Sequence, residues 1–180
     1  MISPIFMRPR PLGYKLIFSK DSSFTNLTAT QLVLEAAGWH LPFPGRYKVT
    51  AIGAGGGGGG YGVVQRPQKG EQGASGSIAN GMVFLRQSIR MARGRGGNGG
   101  GYNSYPPGGT GGPTGFDSVN GVGGNGGRSG QQLAAQNVPE GSYQTSDNSY
   151  LPGGGGGGGS YAGWGGDAGA NGQVSLELIA

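Results

Sequence analysis

Cysteine is absent from the 180 residues, so neither disulfides nor thiolate metal sites hold the fold. Histidine occurs once, at His40 between Trp39 and Leu41, and a lone histidine in such a turn reads as structural rather than as a base or ligand. Only 12% of the residues are charged, which separates the chain from highly charged disordered tails. No run approaches the ~18 consecutive apolar residues of a membrane-spanning helix, so membrane insertion is not expected. Pro4, Pro9 and Pro11 interrupt the start of the chain where a secretory signal needs continuous apolar residues. The apolar fraction is 34%, much of it small, too little for a large core of leucine, isoleucine and valine. No pair among the eight Asp and Glu stands out for acid–base work, and metal-ligand spacing is missing. The expectation is a non-enzyme with no cofactor and no metal.

Glycine takes the place of the missing residue types. It fills 45 of 180 positions, a quarter of the chain against ~7% in ordinary proteins. Residues 1–52 hold three, Gly13, Gly38 and Gly45, and the other 42 fall among the 128 residues from Gly53 to Ala180. One glycine in three suggests collagen, but collagen needs an unbroken Gly-X-Y register rich in proline, and the 11 prolines are sparse and mostly outside the glycine tracts. The runs also lack a Gly-Lys-Ser/Thr ending and open no predicted helix, so they are not phosphate loops. What they share is a period. Glycine recurs at every third residue within 53–62, 70–76, 94–100, 109–115, 121–130, 153–159 and 163–172, seven tracts in all.

A period of three matches the polyproline II conformation, a left-handed helix with a rise near 3.1 Å per residue and no internal hydrogen bonds. Buried stretches of this kind must find partners for N–H and C=O on their neighbours, and glycine lets backbones approach that closely. A flexible low-complexity linker has the same composition. Against it, segments of differing makeup separate the tracts, and alternating apolar segments flank them at 47–52 and 174–179, like paired ends of one domain. A further apolar cluster, with Ile78, Met82, Val83, Phe84, Leu85, Ile89 and Met91, predicts two short strands within 77–93. The expected fold is mostly β and irregular with almost no α-helix: a bundle of packed polyglycine II helices framed by short β-strands.

The order of these features carries a resemblance. An aromatic-proline turn, Trp39 to Gly45, precedes the strand from Arg46 to Ile52, then Gly53, Ala54, Gly55 and a polyglycine run. After the apolar pair come Gly-Thr-Gly-Gly-Pro-Thr-Gly-Phe-Asp-Ser at 109–118, a second polyglycine run at 153–159 and a terminal alternating strand. Over residues 38–180 this resembles the glycine-rich domain of bacteriophage tail fibres and is similar to the polyglycine-sandwich adhesins at the tail-fibre tips of T-even-like phages. The resemblance implies a glycine-helix scaffold whose intervening loops bind a host-cell surface receptor, an outer-membrane protein or a polysaccharide. It also implies a place in the virion, at the tail-fibre tip, after synthesis in the host cytoplasm.

The loops are rich in Tyr, Ser and Asn, a mixture that combines rigid amphipathic area with adaptable hydrogen bonding. Tyr102 and Tyr105 lie in one, Tyr143 and Tyr150 in the longest insertion (131–152), Tyr161 after the last polyglycine run, and Arg66 in the connection 63–69. These are the candidate receptor-binding residues, with local packing over glycine faces the competing reading and Trp164 the aromatic best suited to it. Arg90, Arg93 and Arg95 form a basic cluster able to contact an anionic surface. Its single RGG element is short of the repeats of RNA-binding tails, and nucleic acid is not the expected partner.

Residues 1–37 form an N-terminal arm with strand-like segments at 14–18 and 31–35. Two roles fit it, attachment to a tail-fibre protein and completion of the sheet of the 38–180 domain. Competing functions are a structural virion protein, a decoration or connector subunit, and more distantly an ice-binding or RGG-type RNA-binding protein.

Overall fold

A computed structural model describes residues 15–18, 27–28, 45–63, 67–84, 88–89, 91–101, 106–139, 142, 144–149, 151–159 and 165–179. The strands are β1 (Lys15–Phe18), β2 (Leu27–Thr28), β3 (Arg46–Ile52), β4 (Ile78–Phe84), β5 (Ser88–Ile89), β6 (Met91–Ala92), β7 (Thr114–Phe116), β8 (Val119–Gly121) and β9 (Gln173–Leu178). One six-residue helix, α1 (Gly130–Ala135), is the only α-helix among the described residues. The chain is thus mostly strand and irregular backbone with almost no helix.

The strands make a four-stranded antiparallel sheet in the order β1-β9-β3-β4, a three-stranded one, β6-β7-β8, and the pair β2-β5. Alternation decides the faces. Tyr47, Val49 and Ala51 of β3 and Val174, Leu176 and Leu178 of β9 are all fully buried, whereas Arg46, Lys48 and Thr50 point the other way. Phe116 and Val119 of the smaller sheet complete this core, with Val119 occupying the space a Cβ on Gly81 would need. Each full burial of a valine or leucine side chain is worth about 1.5–3 kcal/mol. Between β7 and β8 the chain reverses through Asp117, at φ 55, a left-handed conformation that aspartate tolerates in a two-residue hairpin turn.

Beyond the sheets, the backbone of the glycine tracts is hydrogen bonded between tracts. Stretch 53–62 lies at the centre. Every N–H from Gly53 to Gly60 donates outward, in rotation, to 68–77, 106–112 and 167–170: Gly53 to Ser77, Ala54 to Gly112, Gly55 to Ala170, then Gly56 to Ala74, and so on. Every C=O from Ala54 to Gly60 accepts, again in rotation, from 124–130, 97–100 and 156–159. Six neighbours therefore surround the central stretch. Further bonds close the ring in the order 68–77, 122–130, 106–112, 94–101, 165–172, 153–159 and back to 68–77. Such bonds contribute about 0.5–1.5 kcal/mol each net, and a buried amide left unpaired costs more, so the ladders offset the entropy lost in ordering glycine.

Several features differ from the sequence reading. The described residues of the segment 77–93 form three strands, β4, β5 and β6, rather than two. The tract placed at 109–115 is hydrogen bonded over 106–112 instead, since Thr114–Phe116 pairs as β7. The paired flanking strands are present as β3 and β9, in register from Tyr47–Leu178 to Ile52–Gln173. From the N-terminal segment, β1 pairs with β9 and β2 with β5, while the strand expected at 31–35, His40 and Trp164 lie outside the described residues.

Candidate functional site

The direction of each stretch decides where the connections emerge. Stretch 53–62 leaves the end of β3, so its start marks the sheet end and Gly62 the far end. Hydrogen-bond partners make 94–101, 122–130 and 153–159 parallel to it and 68–77, 106–112 and 165–172 antiparallel. The connections 63–67, 102–105 and 160–164 therefore begin and finish at the far end. Gly62 bridges Gln68, Gly60 donates to Pro106, Gly159 donates to Gly59, and Gly166 donates to Gly100. Tyr102, Tyr105, Tyr161 and Arg66 fall in these connections but outside the described residues.

Helix α1 also sits at the far end, where Gly130 donates to Gly60. Ser129, 1% exposed, caps it: its hydroxyl accepts from the Gln132 amide at 3.3 Å, and the Gln132 side chain accepts from the Ser129 amide at 3.1 Å. The helix ends on Asn137, at φ 54, with Val138 donating to Leu133 and Asn137 to Ala134, the paired bonds of a left-handed helix stop. Two contacts tie this turn to stretch 68–77. Gln68 Nε2 donates to the Val138 carbonyl at 2.8 Å. Arg128 grips Glu71 through Nε at 2.8 Å and Nη2 at 3.1 Å, and reaches Gln136 Oε1 at 3.0 Å. The Arg128 hydrogen bonds hold the Glu71 carboxyl below its ordinary range, against the opposing effect of partial burial.

The long insertion behaves differently from the three short connections. Stretches 122–130 and 153–159 run the same way, so the chain must travel back from the far end to the sheet end between them. It does so along the side of the array: Gln72 donates to Gln144, Gly158 to Thr145, Asn148 to Gly155, and Leu151 to Asn148. Tyr143 and Tyr150 lie outside the described residues, but their flanking residues belong to this return pass. Beside it Glu71, Gln72, Ala74, Asn125 and Gln144, among others, line a groove of about 390 Å³.

The structure also separates Arg93 and Arg95 from the far-end connections. Arg95 accepts from Gly112 through its carbonyl, and Gly94 donates to Thr114 Oγ1, which places both at the sheet end. Arg95 is exposed and Arg93 is buried at 4% exposure, so Arg93 does not present its charge to a flat anionic surface, and Arg90 lies outside the described residues. Among the described residues no cluster of His, Asp and Glu has the makings of a metal site.

The capping box at Ser129 and the Glu71–Arg128 pair escaped the sequence reading. Ser129 followed three residues later by Gln132, just before Leu133, is a legible helix start. The ion pair spans 57 residues and leaves no local signal. The chain matches no protein-family model and no curated protein.

Proposed function

We propose that the protein is a tail-fibre tip adhesin of a bacteriophage, in which the seven stretches are polyglycine II helices and the far-end connections bind a receptor on the host cell. The observation that carries the reading is the hydrogen-bond rotation of the central stretch. Three successive residues address three different neighbours before the pattern repeats, as a helix with three residues per turn requires. A scaffold of this kind, secured by backbone bonds, leaves the short connections free to vary in sequence, and loops on a rigid support are where binding residues concentrate. Tyr102, Tyr105, Tyr161 and Arg66 are the receptor-contacting candidates, and Tyr143 and Tyr150 become secondary because the flanks of each run along the side. The activity is adhesion rather than catalysis, and of the two roles weighed for the N-terminal arm, β1 supports completion of the sheet, through its pairing with β9.

The test is adsorption of the protein to a panel of bacterial strains, with residues 102–105 and 160–164 each replaced by glycines of equal number. Loss of adsorption with an unchanged melting curve is the expected result. Adsorption that persists in the double replacement refutes the assignment.

A further inference from the structure

The outer face of the four-stranded sheet carries an apolar ridge. Ile78, Met82 and Phe84 are 63, 70 and 56% exposed, all on one face of β4. Among the described residues β4 pairs only with β3 and forms an edge of the sheet. An exposed edge with an apolar stripe is a template for strand addition. Beside it, the outer face carries a groove of about 330 Å³ lined by Lys48, Thr50, Ile52, Gln173, Ser175 and Glu177, among others.

We propose that the β4 edge pairs antiparallel with β4 of a second copy of this chain, across a two-fold axis at Gly81. The strand reads Ile-Ala-Asn-Gly-Met-Val-Phe and is apolar at both ends around that glycine. Pairing about Gly81 sets Ile78 beside Phe84 of the second copy and Asn80 beside its Met82, all on the outer face. The register of β3 on β4, Arg46 with Phe84, Lys48 with Met82, Thr50 with Asn80 and Ile52 with Ile78, then fixes each row of the joined sheet. One row runs Arg46, Phe84, then Ile78 and Ile52 of the second copy; the next runs Lys48, Met82, then Asn80 and Thr50. Each cation ends in a row whose other half is uncharged, so no like charges oppose one another. A two-fold contact of this kind is self-complementary and closed. The core-facing side of β4 stays as it is, with Val119 against Gly81.

A seven-residue strand pair with six large apolar side chains lies at or below the ~1,200 Å² of standard interfaces, so the dimer is reversible, with a dissociation constant in the micromolar range. Sedimentation velocity on the full chain from about 1 to 500 µM reads it directly. The expected result is a monomer–dimer equilibrium in the wild type, with Ile78→Lys and Phe84→Glu each weakening association at least about tenfold. Both sites are exposed, so circular dichroism should show both variants folded. An equimolar mixture of the two variants should dimerise again, because the lysine introduced in one then meets the glutamate introduced in the other. A wild type that stays monomeric throughout, a dimer insensitive to both substitutions, or a mixture of folded variants that stays monomeric each overturns the proposal.

Discussion

Replacing Gly56 by alanine puts the backbone-packed core to a direct test. Its N–H donates to the Ala74 carbonyl and its C=O accepts from Gly156, both at 2.9 Å, so it is held from two sides. A Cβ at this position is driven onto the carbonyl of Asn125 and stands 2.8 Å from the Gly126 nitrogen, all of it backbone. Carbon contacts settle at about 3.5 Å or more, so stretch 122–130 must retreat by roughly 1 Å. That retreat strains three bonds of 2.8 Å: Gly124 to Ala54, Gly127 to Gly57 and Ala74 to Asn125. At about 1 kcal/mol per bond, with about 1–3 kcal/mol for overpacking and up to ~1 kcal/mol returned by the less flexible unfolded chain, the net loss is about 3–6 kcal/mol. Denaturant unfolding should report that loss, and the melting temperature should fall by about 10 °C or more. Gly101→Ala is the control. Among the described residues its Cβ meets nothing closer than 3.9 Å, and its expected effect is neutral to slightly stabilising. A Gly56→Ala protein within ~1 kcal/mol of the wild type would refute the claim that the glycine backbones form the core.

Glu71 is held below its ordinary value of 4.5 in the folded state, so its stabilising effect is present above that pH and is lost as pH falls through the lower folded value; Glu71→Gln should flatten the acid limb of melting temperature against pH. Ser129→Ala removes the helix cap and should cost about 1 kcal/mol, read by urea unfolding, while Ser129→Asp should retain most of the stability. Replacing residues 136–149 by four glycines, which span at most ~14 Å, should prevent folding, whereas a fourteen-residue Gly/Ser segment should keep the circular dichroism signature. A folded four-glycine variant would contradict the return pass.

Much of the architecture was legible because glycine spacing and strand alternation are local signals. Tyr47, Val49 and Ala51 against Val174, Leu176 and Leu178 read as the two halves of a sheet from their period of two alone, and β3 and β9 pair over those residues. The tract at 109–115 was misplaced because Gly115 fits the period of three by spacing, while Thr114 and Phe116 are buried in the smaller sheet. The site was harder to read. Tyr143 and Tyr102 occupy loops of similar composition, and nothing local distinguishes a side pass from an end connection. Arg93 and Arg95, two residues apart, would share a face of a regular strand; they differ in exposure because β6 ends at Ala92 and the backbone beyond it leaves the two-residue alternation.

The distinction between those loops follows from parity. A three-residue repeat directs N–H groups to three sides and C=O groups to three others, so one central stretch takes six neighbours. Seven stretches that alternate in direction, starting from the sheet, would finish at the far end and leave β9 unable to reach β3. One uninterrupted return along the side restores the count, and the chain makes it between 122–130 and 153–159. The length of the 131–152 insertion is thus a requirement of the topology. The short connections at 63–67, 102–105 and 160–164 have only to join neighbouring ends. The topology asks no long span of them, and that freedom is the physical ground for proposing recognition there.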